Sequence, residues 1–295
     1  MTEKARDLTS ESCSTPVLHH NLGILFHEES GKCLTHPFFI LAINAFKEAA
    51  EDRGYDITFI NHKISGPLSE HCLKCGVDGV FMVCIDFQDA RAKELVTSGI
   101  PCITMDHVYK RVPAVLSDNE NGIRMLVQYA IGRGHRRIAI IHGHNNSIVT
   151  RTRISQFKNT MAFHNLPVPD CYLRESRYHD IPLTRDHVLE LLKLPEPPTC
   201  ILLPDDMTYL GAQDAARELG LRIPEDISFA GYDGLPLTQA LSPRLTTIRQ
   251  SSERMGRVAA ERLTALIEHP DTFPRMPSIF PVDLIEGETV CQLNA

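Results

Sequence analysis

Between Asn21 and Gly231 short apolar runs alternate with amphipathic stretches, and this alternation restricts the fold more than any other feature of the chain. The run Asn21–Phe26 is apolar and bounded by polar residues, as a buried strand is. Residues 37–52 then place Phe39, Ile43, Phe46 and Ala50 on one helical stripe, and Gly54 stops that helix. The same rhythm predicts strands over 55–60, 77–85, 100–105, 137–142, 199–203 and 227–231. Between them it predicts helices over 68–74, 91–98, 122–133, 154–164 and 208–219. Each helical crossover returns the chain to the same end of a sheet, so the strands pair in parallel. One sheet does not comfortably hold so many units, and the expected fold is α/β with two doubly wound parallel-sheet lobes.

Composition narrows the class. Apolar residues make up 43% and charged residues 23% of 295, the balance of a folded soluble protein. No apolar run reaches the length of a bilayer span, and the first twenty residues have no apolar centre of a secretory signal. Nine cysteines at irregular positions read as reduced thiols in a cytoplasmic protein. Cys72-Leu-Lys-Cys75 has half the spacing of a zinc site but no second half, so neither metal nor cofactor is expected. A net charge of −7 with dispersed cations argues against unaided nucleic-acid binding. No Gly-x-Ser-x-Gly elbow, phosphate loop or dinucleotide fingerprint is visible, and the chain reads as a binding module rather than an enzyme.

In parallel α/β sheets ligands sit beyond the carboxyl ends of the strands. Four such places carry unusual residues. His36-Pro-Phe-Phe39 offers Phe38 and Phe39 to a ring face, although paired aromatics also serve as core anchors. Asp118 in Leu116-Ser-Asp-Asn119 precedes a helix it would equally cap. Arg153 presents a fork of donors, or makes a surface ion pair. Asp206 and Asp233 stand at two strand ends as acceptors for hydroxyls, with capping the alternative for Asp206.

Taken in order, these places resemble the sensor core of LacI/GalR-family transcription regulators. The resemblance rests on His36-Pro-Phe-Phe39, Val77-Asp-Gly79, Gly99-Ile-Pro101, Ser117-Asp-Asn119, Gly134-His-Arg-Arg-Ile-Ala139 and Arg153. It continues through Pro198-Thr199, Asp206, Gly211-Ala212, Gly220-Leu-Arg-Ile-Pro-Glu-Asp-Ile-Ser228, Gly231-Tyr-Asp233 and Pro243-Arg-Leu-Thr-Thr-Ile-Arg249. It spans about residues 20–290. It implies a periplasmic-binding-protein-like fold of type I, a ligand between the lobes, a homodimer, and lobe closure coupled to DNA affinity. Residue by residue it makes Arg153 the ligand clamp and Asp206 the acidic contact. Phe38 and Phe39 become the stacking pair, Asp118 the acid of the Asp-Asn motif, Tyr178 more loosely an aromatic wall, and Asp233 the acid beside the hinge.

Two positions depart from the family pattern: Gln156 stands where glycine is common after the clamp, and His36 where Asp or Asn precedes the aromatic pair. The expected layout is a flexible segment 1–20, an N-terminal lobe of 21–144 plus 250–275, and a C-terminal lobe of 145–249 plus 276–292. Only twenty polar residues precede the first core strand, so a core without its helix-turn-helix headpiece is expected. DNA would then be reached only through a headpiece upstream or on a partner. Carboxylates, one arginine and aromatics in the cleft suit a neutral or mildly anionic sugar, with purines and sugar phosphates left open. The alternative is a stand-alone cytoplasmic solute-binding protein with no role at DNA.

Overall fold

The computed structural model describes residues 18–26, 37–86 and 88–293; His36 and most of the segment 1–20 lie outside the described residues. The first sheet has six strands in the order β11-β5-β4-β3-β1-β2. These are β1 (Asn21–Phe26), β2 (Asp56–Ile60), β3 (Gly79–Val83), β4 (Cys102–Met105), β5 (Ala114–Ser117) and β11 (Ser278–Phe280). Every pairing in it is parallel, with Leu22 opposite Gly79 and Val80 opposite Cys102. All five residues of β3 are buried, which is why this stretch reads as a continuous apolar run rather than an alternation. Helices α1 (Pro37–Glu51), α2 (Leu68–Lys74), α3 (Ala90–Thr97) and α9 (Ser252–Glu268) cover the faces, and Phe46 of α1 stacks on Phe81 at 4.5 Å between ring centres.

The second sheet has the order β12-β10-β9-β8-β6-β7. Its strands are β6 (Ile138–His142), β7 (Leu173–Glu175), β8 (Cys200–Leu202), β9 (Ser228–Asp233), β10 (Thr246–Arg249) and β12 (Asp283–Ile285), the last antiparallel to β10. Around it lie α4 (Asn119–Gly132), α5 (Ile148–Phe163), α6 (Ile181–Leu192), α7 (Tyr209–Glu218) and the short α8 (Pro236–Gln239). Ile123, Leu126 and Val127 of α4 pack into the same core as Ile138, Phe157 and Tyr232.

The lobe boundaries differ from the expected ones. Helix α4 and strand β6, assigned by sequence to the N-terminal lobe up to residue 144, belong to the C-terminal lobe, because β6 pairs with β7 and β8. Strand β11, expected in the C-terminal lobe, pairs with β5 in the first sheet. The chain therefore crosses between lobes three times: after β5, between β10 and α9, and between β11 and β12. The sequence carries no composition change at these crossings, since both lobes use the same β-α unit.

The apolar stripes of α1 and α9 are consumed within the N-terminal lobe. Ala42, Phe46, Met255, Ala259 and Leu263 share one buried cluster, and a Cβ at Gly256 would run into the Ala42 carbonyl. The two stripes are spent on helix–helix packing within the lobe.

Candidate functional site

The carboxyl ends of both sheets face one another, and the expected ligand residues divide there into two groups. Arg153, Tyr178, Phe39 and Asp233 come together. Phe38, Asp118 and Asp206 do not offer their side chains to the same space.

Arg153 projects from the first turns of α5 and is only 7% exposed. Its Nε donates to Asn119 Oδ1 at 2.7 Å and its Nη1 to the Pro204 carbonyl at 2.9 Å. The guanidinium lies over the Tyr232 ring at 3.5 Å and near the Tyr178 ring at 5.8 Å. A cation this deep is tolerable because a π face and two acceptors replace its water. Tyr178 hydrogen-bonds Thr150 Oγ1 at 2.9 Å and packs so closely on Gly143 that a Cβ there would collide with its ring. Glycine in the His142-Gly143-His144 loop thus makes room for the aromatic wall.

From the other lobe, the Phe39 ring reaches His179 of the C-terminal lobe at 6.0 Å between centres, edge to face. Leu235 and Met207 of the C-terminal lobe join the same apolar cluster. The lobes therefore meet through apolar side chains beside the polar groups.

Asp233 ends β9 at φ 125, a region L-residues rarely adopt, and its Oδ1 accepts from Gln250 Nε2 at 2.7 Å. Burial, followed by repulsion from Asp206 and Asp205, pushes its carboxyl well above the usual range. Asp106 ends β4 in the N-terminal lobe at φ 59. Its Oδ1 is buried without a hydrogen-bond partner, and burial raises its carboxyl to about 6, the Arg153 charge opposing. His179 sits at φ 61. Three non-glycine residues held at positive φ at one place are the kind of backbone strain that accompanies a functional site.

The remaining expected residues have structural roles. Asp206 is fully buried and accepts from the Leu235 N–H at 2.8 Å, Thr238 Oγ1 at 3.0 Å and Thr247 Oγ1 at 2.5 Å. Burial lifts its carboxyl to about 7 against those donors. Its oxygens are committed to three partners of its own lobe, so the expectation that it meets ligand is corrected. The neighbouring Asp205 stands closer to the cleft loops, accepting from the His179 N–H at 2.8 Å and the Thr208 N–H at 3.0 Å. Asp118 caps α4, accepting from the Asn121 N–H at 3.0 Å, which is the ordinary role of Asp at that position. Phe38 is 4% exposed, inside the N-terminal core and edge-on to Phe39 at 5.1 Å.

Sequence reasoning missed four residues near the cleft, the first being Asp205 beside Asp206. Asp106 follows directly on an apolar strand, the same signal that singled out Asp233, and went unread for want of a motif. Asn119 was overshadowed by its neighbour Asp118. His107, 9% exposed, has its pKa lowered to about 4 by burial, with Arg151 and Lys93 adding repulsion. Cys72 and Cys75 are free thiols, and burial pushes the Cys72 thiol up to about 12. Among the described residues no group of three or more His, Cys, Asp and Glu is placed to hold a metal ion, and no helix is long and apolar enough to cross a membrane.

A cleft of this geometry has counterparts among known proteins. Residues 127–290 match the family described as periplasmic binding protein-like domain. The HTH-type transcriptional repressor PurR of Haemophilus influenzae is 31% identical over 243 residues, 80% of this chain and 71% of that protein. The crystal structure of a putative LacI transcriptional regulator from Bacillus cereus subsp. cytotoxis superposes with a TM-score of 0.84 at 23% identity, covering 93% of this chain and 99% of that one. A LacI family transcriptional regulator from Enterococcus faecium, with bound ribose, superposes at 0.80 and 24% identity over 93% of this chain and 100% of that one. The order of the strands, the three crossings and the identity to a repressor agree: the chain belongs to the LacI/GalR family of transcription regulators, and its two lobes form that family's ligand-binding core.

Proposed function

We propose that the chain senses a small polar metabolite, a sugar or a related molecule, held between the lobes, and that binding shifts an equilibrium of lobe closure that sets the DNA affinity of a regulator. One observation carries the reading. A buried guanidinium of the C-terminal lobe and an unpartnered carboxylate oxygen of the N-terminal lobe, Arg153 and Asp106, face the same interlobe space. A ligand that touches both lobes has a differential affinity for the closed state, which is what moves such an equilibrium. The bound ribose of the Enterococcus faecium regulator supports a sugar-sized occupant here.

The reading is of binding without turnover in the cytoplasm, with the DNA-reading part supplied by a headpiece upstream or on a partner. Phe39, Tyr178, Arg153 and Asp233 are the proposed ligand contacts, joined by Asp106, Asn119 and Asp205. Phe38, Asp118 and Asp206 act behind them as supports.

Titration calorimetry against a panel of sugars and nucleobases tests it. The expected result is one compound that binds wild type and that Arg153→Ala binds about tenfold to a hundredfold more weakly, the loss of hydrogen bonds to a charged group. Equal affinity for both proteins would remove the cleft as the effector site.

A further inference from the structure

Acceptors outnumber donors in the cleft, and the imbalance has a chemical consequence for what it binds. Asp106 and Asp233 bring two carboxyl groups to Arg153, with Asp206 and Asp205 close enough to repel Asp233. The guanidinium cannot serve all of them. Two of its nitrogens are engaged by Asn119 and the Pro204 carbonyl, and one of its faces lies on Tyr232. Asp205 is held by two backbone N–H groups and Asp233 by Gln250, none of them charged. Asp106 has a buried oxygen with no hydrogen-bond partner. The other cations near the site are elsewhere occupied: Arg151 donates to the Asn145 and Asn146 carbonyls, and Lys93 to Gln88. His107 contributes no charge at neutral pH. A buried carboxylate whose one nearby cation is already engaged by other groups is costly, and a ligand that brings a second positive charge offsets that cost.

We infer that the cleft selects an effector carrying a protonated amine beside its hydroxyls, an amino sugar or an aminopolyol, with the ammonium group seated at Asp106. This rests on the reading of the cleft as the effector site and refines it. It replaces the neutral or mildly anionic sugar that the residue types alone suggested, because an ionised Asp106 beside an engaged arginine repels an anion.

Two signatures follow from the groups that face Asp106, namely Arg153 on α5, Tyr178, and Tyr232 beside Asp233 on β9. An amine favours the ionised form of Asp106, so its binding releases protons near pH 6, and its affinity rises between pH 5 and about pH 7 as that carboxyl ionises while the amine keeps its proton. A neutral sugar of the same shape, donating only a hydroxyl, shows both effects more weakly.

Calorimetry with matched triples tests the inference: D-glucosamine, D-glucose and D-glucuronate, then the galacto and manno equivalents. In at least one triple the amine is expected to bind about tenfold or more tightly than the neutral sugar, with the uronate weakest. Its enthalpy should vary with the ionisation enthalpy of the buffer in the direction of proton release. Asp106→Asn should erase the amine's advantage, so that the ratio of amine to neutral-sugar affinity falls from about tenfold to about one, whatever the variant does to binding of the sugar ring itself. Proton release is read on wild type, so the test stands even if the variant folds poorly. Preference for the neutral sugar or the uronate in every triple that binds would overturn the amine inference and leave the effector site standing. No binding or thermal shift from any member would overturn both.

Discussion

Two aspartates that look alike in the sequence, Asp206 and Asp233, have different neighbours and so different work. Asp206 accepts from one backbone N–H and two threonine hydroxyls, and Thr238 has the Leu235 carbonyl at 2.9 Å as a second acceptor. Removing it strands the buried Leu235 N–H and the Thr247 hydroxyl. Asp206→Ala is therefore expected to lower unfolding stability by about 2–4 kcal/mol, a large loss for one side chain. Urea denaturation followed by circular dichroism measures this, and a change under about 0.5 kcal/mol would return Asp206 to the list of ligand contacts. Arg153 behaves in the opposite way, since its two hydrogen bonds hold a guanidinium that lies against Tyr232 and Tyr178, beside Asp233 and Asp106. Arg153→Lys keeps the charge and loses the fork. Its binding is expected to fall nearly as far as that of Arg153→Ala, and calorimetry on the two variants side by side shows it. Arg153, Tyr178 and Asp233 were legible in the sequence as strand-end and loop residues of a known pattern. Asp106 was not, because what distinguishes it is a missing partner, and only tertiary structure shows who stands nearby.

At the scale of elements, the strands and helices follow from the residues that form them. Predicted and observed spans agree for β1, β3, β6 and α7 to within a few residues at their ends. The predicted helix over 122–133 begins three residues earlier, at Asn119, because Asp118 supplies the cap. Asp118→Ala removes that cap and is expected to cost about 1 kcal/mol, with the m-value unchanged. The pair α1 and α9 shows what periodicity leaves out. Each stripe is visible alone, but Gly256 against the Ala42 carbonyl shows that the two helices touch backbone to backbone. Gly256→Ala should separate them and destabilise the N-terminal lobe by about 1–3 kcal/mol, although alanine is the better helix former. A thermal melt no lower than wild type would mean that the helices slide apart without cost. Strands β5, β7, β10, β11 and β12, three or four residues long, were not predicted.

For the whole molecule, protonation pulls stability in two directions. The folded-state pKa of His107, about 4, lies below its unfolded value of 6.5, so between pH 6.5 and pH 4 the unfolded chain binds the extra proton and stability falls on acidification. His135 and His142, also lowered by burial, act with the same sign. Asp106 at about 6 and Asp206 at about 7 lie above the unfolded 3.8, so the folded chain binds more protons there and stability rises as pH falls from 7 towards 4. Removing one histidine tips this balance. Between pH 7 and pH 5 the urea midpoint of His107→Asn is expected to fall less than that of wild type, and an equal fall in both proteins would show that His107 carries no proton linkage. The homodimer implied by the family resemblance is kept as a proposal, and α1 and α9 spend their apolar stripes on each other. Sedimentation of a monomer at about ten micromolar, a concentration where weak interfaces are half-formed, would remove it.

The sequence by itself determined the alternation of strands and helices, their parallel pairing, the two lobes and the family, because these depend on local periodicity and on short motifs that survive without knowledge of neighbours. Tertiary structure alone decided where the lobes divide, which acids are spent on their own lobe and which face the cleft. Those properties depend on partners far along the chain: Thr247 for Asp206, Gln250 for Asp233, and for Asp106 a guanidinium on the opposite lobe. Burial and hydrogen-bond partnership are properties of pairs in space, and no spacing along one chain encodes them.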